Sequence, residues 1–170
     1  MSETLEPALP GDLDEQAERL MHRLCDLKLT VATAESCTGG MLAALFTDIE
    51  GAGRAFDRGF VTYSKGSKTE LLGIDPTLLE HNQAVSEVVA RAMAEGALNR
   101  SAAQVALGIT GFAGPAGPDN EEGLVHMALA RRDARTLHRA EHFGAIGRGA
   151  IRVKSLKAML QMLEQSIEEA

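Results

Sequence analysis

The chain has 170 residues, 45% of them apolar and 24% charged, a near-average globular composition that excludes wholesale disorder and suits one sizeable core. Seventeen Lys and Arg against 24 Asp and Glu leave a formal charge of -7. With no basic tract and only 4% aromatics, the footprint of a DNA or RNA binder is missing, although a few local cations can still receive an anionic small molecule.

Residues 1–11 read as a flexible tail with Pro7 and Pro10, and residues 12–170 as one domain. The acidic, proline-bearing start MSETLEPALPGD is unlike a secretory signal. No apolar run approaches the roughly 18 residues of a membrane span. Two cysteines, Cys25 and Cys37, are too few for a disulfide framework, so a cytoplasmic protein is expected. Asp12 and Glu15 have capping-box spacing. Leu13, Ala17, Leu20, Met21, Leu24 and Leu27 recur at threes and fours, predicting a helix over about 12–27. Residues 29–34 read as a strand and 40–48 as a helix. A glycine-bearing connection, 51–57, leads to a second strand, 59–64. Short helical turns are expected at 68–72 and 77–81, and Ser86 is a plausible cap for a helix to about Arg100.

A third strand, 105–110, ends in the loop 111–120. Residues 124–130 and 137–143 form a predicted hairpin around a polar turn. The end of the chain reads as a long helix from about Gly149. Its wide apolar stripe (Ile151, Leu156, Met159, Leu160, Leu163 and Ile167) indicates either deep packing or a subunit contact. Strands alternating with helices, then an antiparallel pair, give an α/β fold: a single-domain mixed β-sheet covered by helices on both faces.

The joint between the first strand and its helix reads AESCTGG, residues 34–40. Ligands of open α/β sheets bind beyond the carboxyl ends of strands, and helix-start amides favour an oxyanion or phosphate. Three readings stand: Ser36 or Thr38 caps the helix; the glycine turn cradles a phosphate, though without Walker spacing; or Ser36 is a nucleophile needing a base. Two further loops follow strands. One carries Tyr63, the only tyrosine, with Lys65 and Lys68 after it; the other starts at Thr110 and Gly111.

Together AESCTGG at 34–40, RGFVTYS at 58–64 with Lys68, LLG at 71–73, AVS at 84–86, TGFAGPAG at 110–117 and GRGAIR at 147–152 resemble the CinA C-terminal domain family, the nicotinamide-nucleotide amidases. The resemblance covers about residues 12–168. It implies hydrolysis of the carboxamide of nicotinamide mononucleotide, giving nicotinate mononucleotide and ammonia in pyridine nucleotide recycling. Carried over by motif, the catalytic serine, tyrosine and lysine are Ser36, Tyr63 and Lys68, and the arginine of the GR motif is Arg148. No metal or organic cofactor is implied. A small nucleotide substrate is expected, with no nucleic acid or membrane partner and a homo-oligomeric assembly. Many members carry a further N-terminal domain, so the stand-alone form is expected here.

In this chemistry Lys68 must be neutral, its pKa lowered by burial or a nearby cation. Tyr63 would relay the proton or hold Lys68 and Ser36 in register. Amides of Cys37, Thr38, Gly39 and Gly40 would form the oxyanion hole. Thr110 and Gly111 would line the substrate site, and Arg148 with the free amides of its helix would grip the phosphate. Rival residues stay open: Lys65 as the base, Arg152 as the phosphate cation, and Cys37 as a thiol nucleophile, which has no obvious histidine partner. His138 and His142 lack a third ligand and do not read as a metal site. Met93, Met127, Met159 and Met162 read as core.

The sequence departs from the family at three places. Residues 114–123 form a shorter loop without the usual KPV, which bears on affinity and substrate choice. Lys65 replaces a common asparagine and adds a cation that could depress the pKa of Lys68. Ala145 stands where an acid is common. Two alternatives accompany the amidase: a non-catalytic nucleotide-binding or regulatory module, and an amidase for another small carboxamide.

Overall fold

The computed structural model describes residues 9–132 and 134–168. Its strands carry two unequal faces. Val31, Val105, Leu107, Ile109, Val125, Met127 and Leu129 alternate with Ala32, Ala34, Ala106, Gly108, Ala128 and Ala130 along β1 (Val31–Glu35), β3 (Val105–Gly111) and β4 (Leu124–Arg131). Successive residues point to opposite faces, so large side chains collect on one side and small ones on the other.

The large face packs against α1 (Gly11–Leu27), α2 (Met41–Asp48) and α6 (Arg148–Glu168). The small face lets α5 (Glu87–Asn99) lie close to the sheet, flanked by α3 (Lys65–Leu72) and α4 (Pro76–His81). A Cβ on Gly108 would lie 2.6 Å from the Ala94 nitrogen and 2.7 Å from the Ala90 carbonyl oxygen, so the backbone of α5 occupies the space of the missing side chain.

With β2 (Phe56–Val61) and β5 (Ala134–His142), the sheet order is β2-β1-β3-β4-β5. β1 pairs in parallel with β2 and β3, and β3-β4-β5 are antiparallel. This is the mixed sheet with helices on both faces that the sequence predicts. The chain crosses from one side of β1 to the other, so a crevice opens where β1 and β3 end.

Several boundaries differ from the expectation. The helix α1 starts at Gly11 with Pro10 at the cap position, and no side chain caps it. Pro10 (φ -60°) fixes the chain early, and Asp12 pairs instead with Lys157 of α6 at 2.8 Å, so no capping box forms. Residues 1–8 of the expected tail lie outside the described residues, while Leu9 is buried in the core. The second strand ends at Val61, not Ser64, because Ser64 caps α3 by accepting from the Ser67 amide at 3.1 Å. Lys65 therefore begins the next element, and Lys68 sits one turn into it.

Each stripe residue of α6 is buried within the chain, so deep packing accounts for the stripe. Met93, Met127, Met159 and Met162 are core residues. Among the described residues, no helix is long and apolar enough to cross a membrane.

Candidate active site at the carboxyl ends of the parallel strands

Ser36 is the first residue beyond β1, and its amide donates to the Ile109 carbonyl of β3 at 3.1 Å. The chain then turns through Gly39 (φ 63°) and Gly40 (φ 95°) into α2. Both glycines are in the left-handed region, where a side chain is strained.

Glu35, fully buried, holds this turn from beneath. Its Oε2 accepts from the Thr38 hydroxyl at 2.6 Å and from the amides of Gly40 at 3.2 Å and Leu42 at 3.1 Å. Its Oε1 accepts from the Ala43 amide at 2.8 Å. A carboxylate is thus matched to the orphan donors and positive end of α2. This narrows the expected oxyanion hole. The Gly40 amide serves Glu35 and the Gly39 amide donates to the Ser36 carbonyl at 3.2 Å. The Cys37 amide faces only its own thiol, and the Thr38 amide has no backbone partner among the described residues. The structural role of Glu35 was missed by sequence reasoning; its only local signal is an acid just before a helix start.

Lys68 comes from α3 on the opposite wall. It is 1% exposed, and its Nζ lies 3.1 Å from Ser36 Oγ. The same nitrogen donates to the carbonyls of Thr62 at 2.7 Å and Tyr63 at 3.3 Å. Burial pushes the Lys68 pKa below the ordinary 10.5, opposed by the charge that a Cys37 thiolate would carry. Two carbonyls can hold two N–H groups of a neutral amine, which leaves its lone pair for the Ser36 hydroxyl. Lys65 is exposed at the start of α3, and its charge is not among the influences on Lys68; desolvation, not repulsion, depresses the amine.

Tyr63 contributes its carbonyl to Lys68, while the residue as a whole is 75% exposed. Cys37 adjoins Ser36, but burial pushes its thiol from 9.0 up to about 12. A thiol so strongly protonated is a poor nucleophile at neutral pH.

A cleft of about 250 Å³ joins these groups. Ser36, Cys37, Tyr63, Lys68, Thr110, Gly111 and Arg148 line it, together with Ala84, Val85, Phe112 and the loop 113–115. Thr38, Gly39 and Gly40 are not among its lining residues. The Thr110 hydroxyl donates to the Ala84 carbonyl at 2.8 Å, so toward a ligand it can only accept. Arg148, the first residue of α6, lays its guanidinium over Gly114. Arg152, one turn later, points elsewhere: its Nε donates to the Cys37 carbonyl at 2.8 Å. The wall has the Lys68 amine, the Arg148 guanidinium and no carboxylate, so an acidic chain presents a locally basic cleft.

Known proteins resemble this chain in sequence and fold. The model of the CinA C-terminal domain matches residues 13–167. A "Putative competence-damage inducible protein" of Symbiobacterium thermophilum is 52% identical over 127 residues, which are 73% of this chain. The chain spans only 30% of the length of that relative. The "Nicotinamide-nucleotide amidohydrolase PncC" of Enterobacter agglomerans is 44% identical over 133 residues, 77% of this chain and 80% of that protein. Among solved structures, the competence/damage inducible protein CihA from Agrobacterium tumefaciens aligns with a TM-score of 0.90 at 42% identity, over 94% of this chain and 98% of that one. On this match of sequence and fold, the chain belongs to the CinA C-terminal domain family.

Proposed function

We propose that the chain hydrolyses the carboxamide of nicotinamide mononucleotide to nicotinate mononucleotide and ammonia, with Ser36 as nucleophile and Lys68 as base. The observation that carries this reading is the buried Lys68 amine 3.1 Å from Ser36 Oγ. The resemblance to the Enterobacter agglomerans amidohydrolase supplies the substrate class.

Lys68 takes the Ser36 hydroxyl proton as Oγ bonds to the carboxamide carbon. The resulting oxyanion is met by the Cys37 and Thr38 amides. Collapse breaks the C–N bond, and Lys68 returns its proton to the departing nitrogen, which leaves as ammonia. Water, deprotonated by the same amine, then cleaves the acyl-serine ester. General-base assistance of this kind is worth roughly 10²–10⁴ in rate, and each oxyanion donor roughly 10²–10³. The lone pairs of Thr110 Oγ1 suit the carboxamide N–H. Val85, Phe112 and Pro115 offer an apolar wall for the ring, and Arg148 with the first amides of α6 offers positive charge for the phosphate. Recycling of pyridine nucleotides is the corresponding physiological role.

The test is incubation of purified protein with nicotinamide mononucleotide, without added metal, following ammonia and nicotinate mononucleotide. Stoichiometric formation of both by wild type, absent in Ser36→Ala and Lys68→Ala, is expected. Full activity in Ser36→Ala would refute the serine mechanism. Nicotinamide and its riboside, run alongside, report whether the phosphate is required; equal turnover of all three would point to a different carboxamide.

A further inference from the structure

We infer that Arg152 is a positioning residue for the catalytic turn: it fixes the Cys37–Thr38 peptide so that the Thr38 amide can serve the oxyanion. The inference rests on the Ser36 hydrolase reading and assigns a role to a residue outside the cleft wall.

The amides of the turn can be accounted for one by one. Those of Gly40, Leu42 and Ala43 go to Glu35, that of Gly39 to the Ser36 carbonyl, and that of Met41 to the Thr38 carbonyl at 3.2 Å. Cys37 and Thr38 keep the remaining two. The Thr38 amide shares its peptide plane with the Cys37 carbonyl, which accepts from Arg152 Nε at 2.8 Å. The described chain has no cis peptide, so this N–H points opposite to its carbonyl and away from Arg152.

Without Arg152, neither end of that peptide has a hydrogen-bond partner among the described residues. Rotation of the peptide would turn the carbonyl oxygen to where the N–H now points. A negative dipole end would then face the developing oxyanion instead of a positive one.

Arginine suits this task because its guanidinium stays charged and its Nε–H has a fixed direction in a planar group. Its terminal nitrogen also reaches within 3.8 Å of where a Gly39 Cβ would stand, so the guanidinium lies along the turn. Arg148 and Arg152 are four residues apart on α6 and share a helix face. One helix therefore carries both the cleft cation and the group that orients the turn, separating a binding role from a positioning one.

The experiment compares wild type, R152M, R152K and R148M in the full chain. It measures kcat and KM on nicotinamide mononucleotide, labelling by a fluorophosphonate probe, and the melting temperature. In the labelling, Ser36 Oγ bonds to phosphorus, fluoride leaves, and Lys68 takes the hydroxyl proton. R152M is expected to lose about 10²-fold in kcat, the scale of one oxyanion donor, with KM unchanged and labelling slowed in parallel. R152K, whose ammonium can still donate to the carbonyl, should recover part of kcat, and R148M should raise KM. Should R152M fail to fold, R152L, which also lacks a donor, replaces it with the same expectation.

Wild-type kcat in R152M, or a change confined to KM, would overturn the inference. So would losses in R152M and R152K that merely follow melting temperature. A wild type that labels but spares the nucleotide removes that substrate and leaves the labelling rates to decide on Arg152. A wild type that neither hydrolyses nor labels removes the serine reading, and this inference with it.

Discussion

Replacing Glu35 by glutamine changes one charged oxygen into an amide group and almost nothing in volume. Oε2 accepts three of the four bonds, from Thr38, Gly40 and Leu42, and Oε1 accepts one, from Ala43. The best glutamine rotamer keeps its oxygen at the busier site and turns its NH2 toward the Ala43 amide, donor against donor. A stranded buried donor costs about 1–3 kcal/mol, and each retained bond loses about 1 kcal/mol of charge assistance. Cheaper burial of a neutral amide offsets part of this. The net expectation is a loss of about 2–4 kcal/mol. For a domain of this size it lowers the melting temperature by roughly 5–15 °C. Glu35→Ala strands all four donors beside a void and should approach the whole stability of a typical domain, about 5–15 kcal/mol. Calorimetric melting of Glu35→Gln against wild type at neutral pH checks the argument. A midpoint within about 2 °C of wild type would show that α2 is anchored by its apolar face alone.

Four other outcomes are expected. Because the proposed mechanism needs a neutral Lys68 and burial lowers its pKa, kcat/KM should rise with pH and level off below 10.5. A profile falling through that range would exclude Lys68 as base. Tyr63→Phe should keep most of kcat, because the carbonyl rather than the hydroxyl is what meets Lys68; a loss near that of Lys68→Ala would restore the proton relay. A Cβ added at Gly114 would lie 2.9 Å from the Arg148 Cζ. Gly114→Ala should therefore push the exposed guanidinium aside and raise KM for the phosphorylated substrate, with melting little changed. His126 and His138 meet at 3.0 Å, with Glu87 and Arg91 of α5 and His142 of β5 nearby. Burial lowers both pKa values below the ordinary 6.5. The unfolded chain then binds more protons, so stability is full above pH 6.5 and falls as pH drops toward the folded values. His138→Gln should flatten that acid limb in denaturant titrations.

Local pattern revealed much of this molecule because local pattern was sufficient for it. Alternation of large and small residues marks β1, β3 and β4, periodicity marks α1 and α6, and glycines after a strand mark the Ser36 turn. What stayed hidden depends on residues far apart in sequence or on competing local signals. Tyr63 and Ser64 look strand-like, yet a serine cap at position 64 outcompetes β propensity and ends β2 at Val61. The depressed pKa of Lys68 cannot be read from Lys65 nearby, since it comes from burial under elements that only the fold assembles. Arg148 is favoured for the phosphate by its motif, but Arg152 stays a rival until α6 is docked. Docking puts the first at the cleft and the second on the Cys37 carbonyl.

The placement of one buried acid beside one buried amine explains why these residues do not simply form a salt bridge. A carboxylate paired with Lys68 would hold it protonated and rule out the base role proposed for it. Glu35 is next to Ser36 in sequence and as deeply buried as Lys68, yet its two oxygens are occupied by a hydroxyl and three amides of the α2 entry. It is not among the influences that set the Lys68 pKa. The glycines that bend the chain into α2 bring those donors over the carboxylate, so the turn that presents Ser36 also keeps the negative charge away from the amine. The neighbouring thiol fits the same logic. With Cys37 held up at about 12, no thiolate forms at neutral pH to raise the Lys68 pKa, which suits the base role proposed for the amine.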